Sequence, residues 1–204
     1  MNFVILVYLE MITRRLSSNG VRNLYLHNID DTFHDRYEIK SDDKRQGDSA
    51  QKRINNGEWC NATTIAATEH KSYKVLYIEG TEARTSRVLR DAGFEAYDCV
   101  PVSIDGSAVY ESKKYVYNAF QATPMRTLQL LNSQEKFISV WYDGCQTLKG
   151  NVKEDIFPIE EINYILNNNV QSGSILAVTF CTRGHRRGYE QSINVIHNAI
   201  LNAG

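Results

Sequence analysis

The chain has 204 residues, 42% hydrophobic and 23% charged, with a formal net charge of -1. That is ordinary globular usage, which argues against disorder, a fibrous repeat, or a global electrostatic pull toward nucleic acid or a membrane. The four cysteines, Cys60, Cys99, Cys145 and Cys181, form no CxxC pair, which argues against a zinc ribbon or a disulfide scaffold and for reduced thiols in an intracellular, cytoplasmic setting with no metal site.

The amino-terminal run from Phe3 to Ile12 is apolar but is interrupted by Glu10, and it has neither a basic segment ahead of it nor a small-residue cleavage site behind it. It is shorter than the roughly 20 apolar residues a membrane span needs, so no membrane association is expected. Further apolar residues follow around the Ser17 to Gly20 turn, and a helix or a pair of strands fits residues 1–30 equally well. Residues 30–53 change to mixed charge, with Asp30, Asp31, Asp42, Asp43, Lys44 and Arg45, and read as a solvated, mobile segment. We therefore divide the chain into an extension, 1–54, and a domain, 55–204. A helix from Gln51 to His70 leads into that domain, with Trp59, Ala62, Ile65 and Ala66 on one face and Trp59 as a core anchor.

The stretch that organises the domain is Tyr73 to Phe94. Val75 to Ile78 form a short apolar run suited to burial on both faces of a parallel sheet, and Glu79-Gly80 ends it. Thr81 is expected to open a helix that packs Ala83, Val88, Leu89 and Ala92 and closes on Gly93 as its C′ residue. A second strand from Ala96 to Val102, closed by Pro101 and the turn at Ser103 to Gly106, completes a strand, helix, strand unit. In open α/β sheets a ligand sits outside the carboxyl ends of the strands. Glu79, Gly80 and Thr81 are thereby candidates to meet a nucleotide-like cofactor, and Asp98 and Asp105 to accept hydrogen bonds from a ribose. The plainer reading makes Asp98 a strand-edge carboxylate and Asp105 a turn former.

After the tyrosines Tyr110, Tyr115 and Tyr117, Pro124 starts a helix reaching about Ser133. Phe137 to Tyr142 is the next buried strand, ended by Asp143-Gly144-Cys145. A carboxylate at the carboxyl end of a central strand can orient a substrate or assist a proton transfer, and Asp143 is the catalytic candidate. A structural turn accounts for the same residues. A helix from Asp155 or Pro158 carries Ile159, Ile162, Ile165 and Leu166 and ends in Asn167 to Asn169. Ser174 to Phe180 is the last strand. The loop 181–188 that follows holds Arg183, His185, Arg186 and Arg187 between glycines, a candidate contact for phosphates or for a nucleic-acid or protein acceptor, although an ordinary basic surface loop accounts for the same residues. Tyr189 to Leu201 forms the final helix.

The alternation of strands and helices from Lys71 onward predicts an α/β fold, a doubly wound and mostly parallel Rossmann-like sheet with helices on both faces. With KVLYIEG as first strand and turn, WYDGC ending a middle strand and SILAVTF before a basic loop, residues 55–204 resemble a class I S-adenosylmethionine-dependent methyltransferase. The resemblance implies S-adenosylmethionine as cofactor near Glu79, Gly80 and Thr81, Asp98 or Asp105 near its ribose, and Asp143 near the methyl acceptor. The family's glycine-rich loop falls on Glu79 to Ala83, which holds one glycine. That departure leaves open a second role, a catalytically inactive Rossmann-like module for binding or assembly, which a homo-oligomer built on the apolar amino terminus would suit. A dinucleotide oxidoreductase is disfavoured because GxGxxG is absent.

Overall fold

The computed structural model describes residues 4–9, 15–18, 21–27, 50–131, 135–144, 152, 156–180 and 194–199. In chain order the elements are β1 (Val4–Leu9), β2 (Arg15–Ser18), β3 (Val21–His27), α1 (Ala50–His70), β4 (Val75–Ile78), α2 (Arg84–Asp91), β5 (Cys99–Ser103), α3 (Gly106–Ser112), β6 (Phe120–Gln121), α4 (Pro124–Leu130), β7 (Phe137–Asp143), α5 (Pro158–Asn168) and β8 (Val170–Phe180). A further helical segment covers 194–199.

The strands form one sheet in the order β2-β3-β1-β8-β7-β4-β5-β6. From β8 to β6 every pairing is parallel. β1 adds to the far side of β8 and β3 to β1 in the same sense, while β2 runs antiparallel at the edge. Within the apolar amino-terminal run Val4–Leu9 is thus a strand, and it continues the same sheet that the later strands build. The expected Rossmann-like, doubly wound arrangement is what the chain forms.

β4, β5 and β7 are buried along almost their whole length, which is why they are mainly apolar runs without a regular alternation of polar residues. On one face α1 and α2 bring Trp59, Ala67 and Leu89 against Val75, Tyr77, Trp141 and Ala177. On the other, α4, α5 and the 194–199 helix bring Leu128, Ile162, Ile165 and Ile196 against Leu76, Val100, Tyr142 and Leu176. Trp59 is fully buried, with ring centroids 4.9 Å from Trp141 and 6.1 Å from Tyr77, so it is the core anchor its sequence context suggests.

Local exceptions have local reasons. Pro101 lies inside β5 and does not close it. The N–H groups of Val75 and Glu79 bond to the carbonyls of Asp98 and Val102, so the even-numbered residues of β5 face β4. The missing N–H of Pro101 falls on the other side, where β6 pairs only from Val102 onward. Gly93, at φ 92, ends α2 as expected, with Phe94 N–H on the Leu89 carbonyl and Gly93 N–H on that of Arg90. α1 ends in the same way with a lysine in the left-handed position: Lys71 has φ 51, and the Ser72 N–H bonds to the Ala67 carbonyl.

Candidate functional site

The strand order fixes where a ligand can meet the sheet. From β4 the chain winds outward through β5 and β6, and from β7 it winds the other way through β8. The switch falls between β4 and β7, and their carboxyl ends bound a crevice. Glu79, Gly80 and Thr81 leave β4 there, and Asp143 and Gly144 close β7. Side chains alternate along a strand. Glu79 therefore shares the face of Tyr77, and Asp143 shares the face of Trp141, both on the side covered by α1 and α2. Gly80 is exposed, and a Cβ built on it would meet nothing within 4 Å, so open space adjoins the backbone at this edge.

Glu79 is 4% exposed. Its carboxylate accepts hydrogen bonds from the Gly80 N–H at 3.0 Å, the Thr85 N–H at 3.4 Å, the Ser86 N–H at 2.7 Å and the Ser86 hydroxyl at 2.8 Å. Burial pushes its pKa up, and the donors of Ser86, Gly80 and Thr85 pull it back. Ser86 also meets the Tyr77 hydroxyl at 2.8 Å, so a buried chain of polar groups runs from β4 into the first turn of α2. This arrangement corrects the helix boundary. Thr81 and Glu82 form a turn, the Ala83 N–H bonds to the Gly80 carbonyl, and buried Ala83 stands in the left-handed region at φ 47, so α2 starts only at Arg84. A chain returning so tightly under its own glutamate cannot begin a helix at Thr81.

The two ribose candidates separate. Asp98 precedes β5 at its amino end, the opposite edge of the sheet from Gly80, where its carbonyl accepts the Val75 N–H. The strand expected over Ala96 to Val102 runs instead from Cys99 to Ser103, because residues 96–98 form a turn. Asp98 therefore does not join the crevice residues. Asp105 does stand at the carboxyl edge, exposed, and its carboxylate caps α3 by accepting from the Ser107 N–H at 2.8 Å and hydroxyl at 2.7 Å. Those bonds hold its pKa below the ordinary carboxylate range. Asp143 is half-buried, and the following Gly144 N–H bonds to the Thr179 carbonyl of β8 at 3.1 Å. A Cβ on Gly144 would stand 3.0 Å from the Tyr142 ring. Arg183, His185, Arg186, Arg187 and Cys145 lie outside the described residues. Cys60 and Cys99 are free, buried thiols, and burial pushes Cys99 up to about 12, which makes it a packing group and not a nucleophile.

One group escapes a reading by motif. Glu161, in the first turn of α5, is fully buried beneath the same carboxyl edge on the opposite face. The hydroxyls of Tyr142 and Thr123 and the amides of Phe157 and Met125 surround its carboxyl, yet neither oxygen makes a hydrogen bond of ordinary geometry. Burial drives its pKa up to about 7. The signal was present in the sequence: position 161 belongs to the buried stripe Pro158, Glu161, Ile162, Ile165 and Leu166, where a carboxylate is out of place.

The fold and this edge define the chain as a doubly wound α/β protein of Rossmann-like arrangement. The chain matches no protein-family model, no curated protein and no solved structure. No helix among the described residues is long and apolar enough to cross a membrane.

Proposed function

We propose that the protein is a methyltransferase-like protein that takes S-adenosylmethionine at the switch point between β4 and β7. The observation that supports this reading is the pair of acidic residues, Glu79 and Asp143, at the two strand ends that bound the crevice, on one face of the sheet. With the Glu79 carboxylate turned back onto α2, Asp143 is the carboxylate at the crevice, and an edge that lacks a glycine-rich anion cradle suits a ligand with a positive sulfonium centre. In this reading Gly80 and Thr81 border the cofactor, and Asp105 is the nearer of the two acidic candidates to its ribose. Asp143 faces the methyl acceptor, where a carboxylate assists by taking the acceptor's proton. Arg183, His185, Arg186 and Arg187 supply the contact with a nucleic-acid or protein acceptor.

Calorimetry with S-adenosylmethionine and S-adenosylhomocysteine tests the proposal. Micromolar binding, worth about 8 kcal/mol, supports it. Asp143→Asn should then abolish turnover of an acceptor while leaving cofactor affinity intact, and equal loss of both would remove Asp143 from that role. A second reading, a binding or assembly module without catalysis, draws on the single glycine of the turn and on the enclosure of the Glu79 carboxylate. Absence of binding at millimolar ligand favours it.

A further inference from the structure

We propose that Glu79 is the protein's own ligand for the amino end of α2, and that it sets the charge class the crevice accepts: a nucleoside-type ligand carrying no phosphate at this edge. The inference rests on the reading of a cofactor crevice at β4 and β7 and narrows what enters it. In nucleotide-binding α/β sheets the helix after the first strand offers its free N–H groups and its positive dipole end to a phosphate. In this chain the N–H groups of the second and third residues of α2 are engaged. The N–H groups of Thr85 and Ser86 and the Ser86 hydroxyl all point at the Glu79 carboxylate, which also takes the Gly80 N–H.

An incoming phosphate would have to displace a buried carboxylate that accepts from four donors, against like charge. A second observation at the same helix end agrees. Asn56 of α1, 4% exposed, donates its Nδ2 to the Thr85 hydroxyl at 3.5 Å, and its Oδ1 has no partner. The polar capacity left over at this junction is therefore an acceptor. It favours a ligand that brings hydroxyl, amino or cationic groups and disfavours one that brings anionic oxygens.

The test is anion rescue. Thermal unfolding of the wild-type protein and of Glu79→Ala is followed with inorganic phosphate and with acetate, and Glu79→Gln serves as a variant that keeps the side-chain volume. At about 50 mM anion the alanine variant should gain roughly 3 °C or more beyond the general salting effect seen in the wild type, as a site of millimolar affinity would give. If the alanine variant is unfolded at rest, the same anions should restore its folded fraction. Wild type stabilised as strongly as the variant, or a variant indifferent to both anions, overturns the proposal. This arm needs no cofactor, so its result stands apart from the calorimetry with S-adenosylmethionine. Where adenosine binds, ADP-ribose should bind the wild type at least about tenfold more weakly, and Glu79→Gln should narrow that gap.

Discussion

Thr63 of α1 donates its hydroxyl to the hydroxyl of Ser139 on β7 at 2.8 Å, and both side chains are fully buried. The pair fixes the register of α1 on the sheet, because each hydroxyl would otherwise be a polar group stranded in an apolar layer. Thr63→Val keeps the shape and removes the donor, and should cost about 1–3 kcal/mol in urea unfolding. Adding Ser139→Ala removes the stranded partner, so the double variant should lose less than the sum of the single losses. Strict additivity would mean that the bond contributes nothing.

Glu161 makes stability depend on pH. Its carboxyl is fully buried, and burial raises its pKa from 4.5 to about 7. The folded state holds a proton that the unfolded state has already released, so the contribution is fully present below about pH 4.5 and is lost as pH rises to 7. The loss on ionisation is on the order of 3 kcal/mol. Glu161→Gln keeps the neutral form at all pH values and should be more stable than wild type at pH 8, with little difference at pH 4. Parallel curves for the two proteins would show that Glu161 titrates normally.

Lys71 closes α1 at φ 51 and is exposed, so its side chain gives nothing back for the strained backbone. Lys71→Gly should stabilise the protein by about 1 kcal/mol, a rise of roughly 2–4 °C in melting temperature for a chain of this size. A fall would mean that the lysine stem makes a compensating contact.

Gly173 is the converse case. It has φ 88 within β8, and a Cβ there would stand 2.2 Å from Nε2 of His70. Gly173→Ala should cost about 1–3 kcal/mol through strain and the displaced ring. In a His70→Ala background only the backbone part, about 1 kcal/mol, should remain. An unchanged cost would assign the whole effect to φ.

Much of the architecture was legible because it is written in local patterns. The runs Val75 to Ile78 and Phe137 to Tyr142 are apolar without alternation, and a strand buried on both faces asks for that. Gly93 marks a helix end by its conformational freedom alone. What could not be read depends on partners distant in sequence. Val4 to Leu9 became a strand because β8 offers it an edge, and six apolar residues alone do not choose between helix and sheet. The start of α2 moved to Arg84 because the Glu79 side chain turns back onto Thr85 and Ser86, a contact that propensity does not encode. Asp98 was assigned to the wrong end of its strand by a few residues, which suffices to carry it across the sheet. Glu161 was visible only as a carboxylate inside an apolar stripe.

The place of β1 also bears on how the chain acquires its structure. Val4 pairs with Ile175, so β1 is synthesised well before the β8 strand that covers this edge of it. β4, β5 and β6, joined by short crossovers, can associate earlier. During synthesis an apolar strand with unpaired amides is left exposed, a template for pairing with another nascent chain. Closing that long loop late predicts slow final docking and a need for protection in the interval.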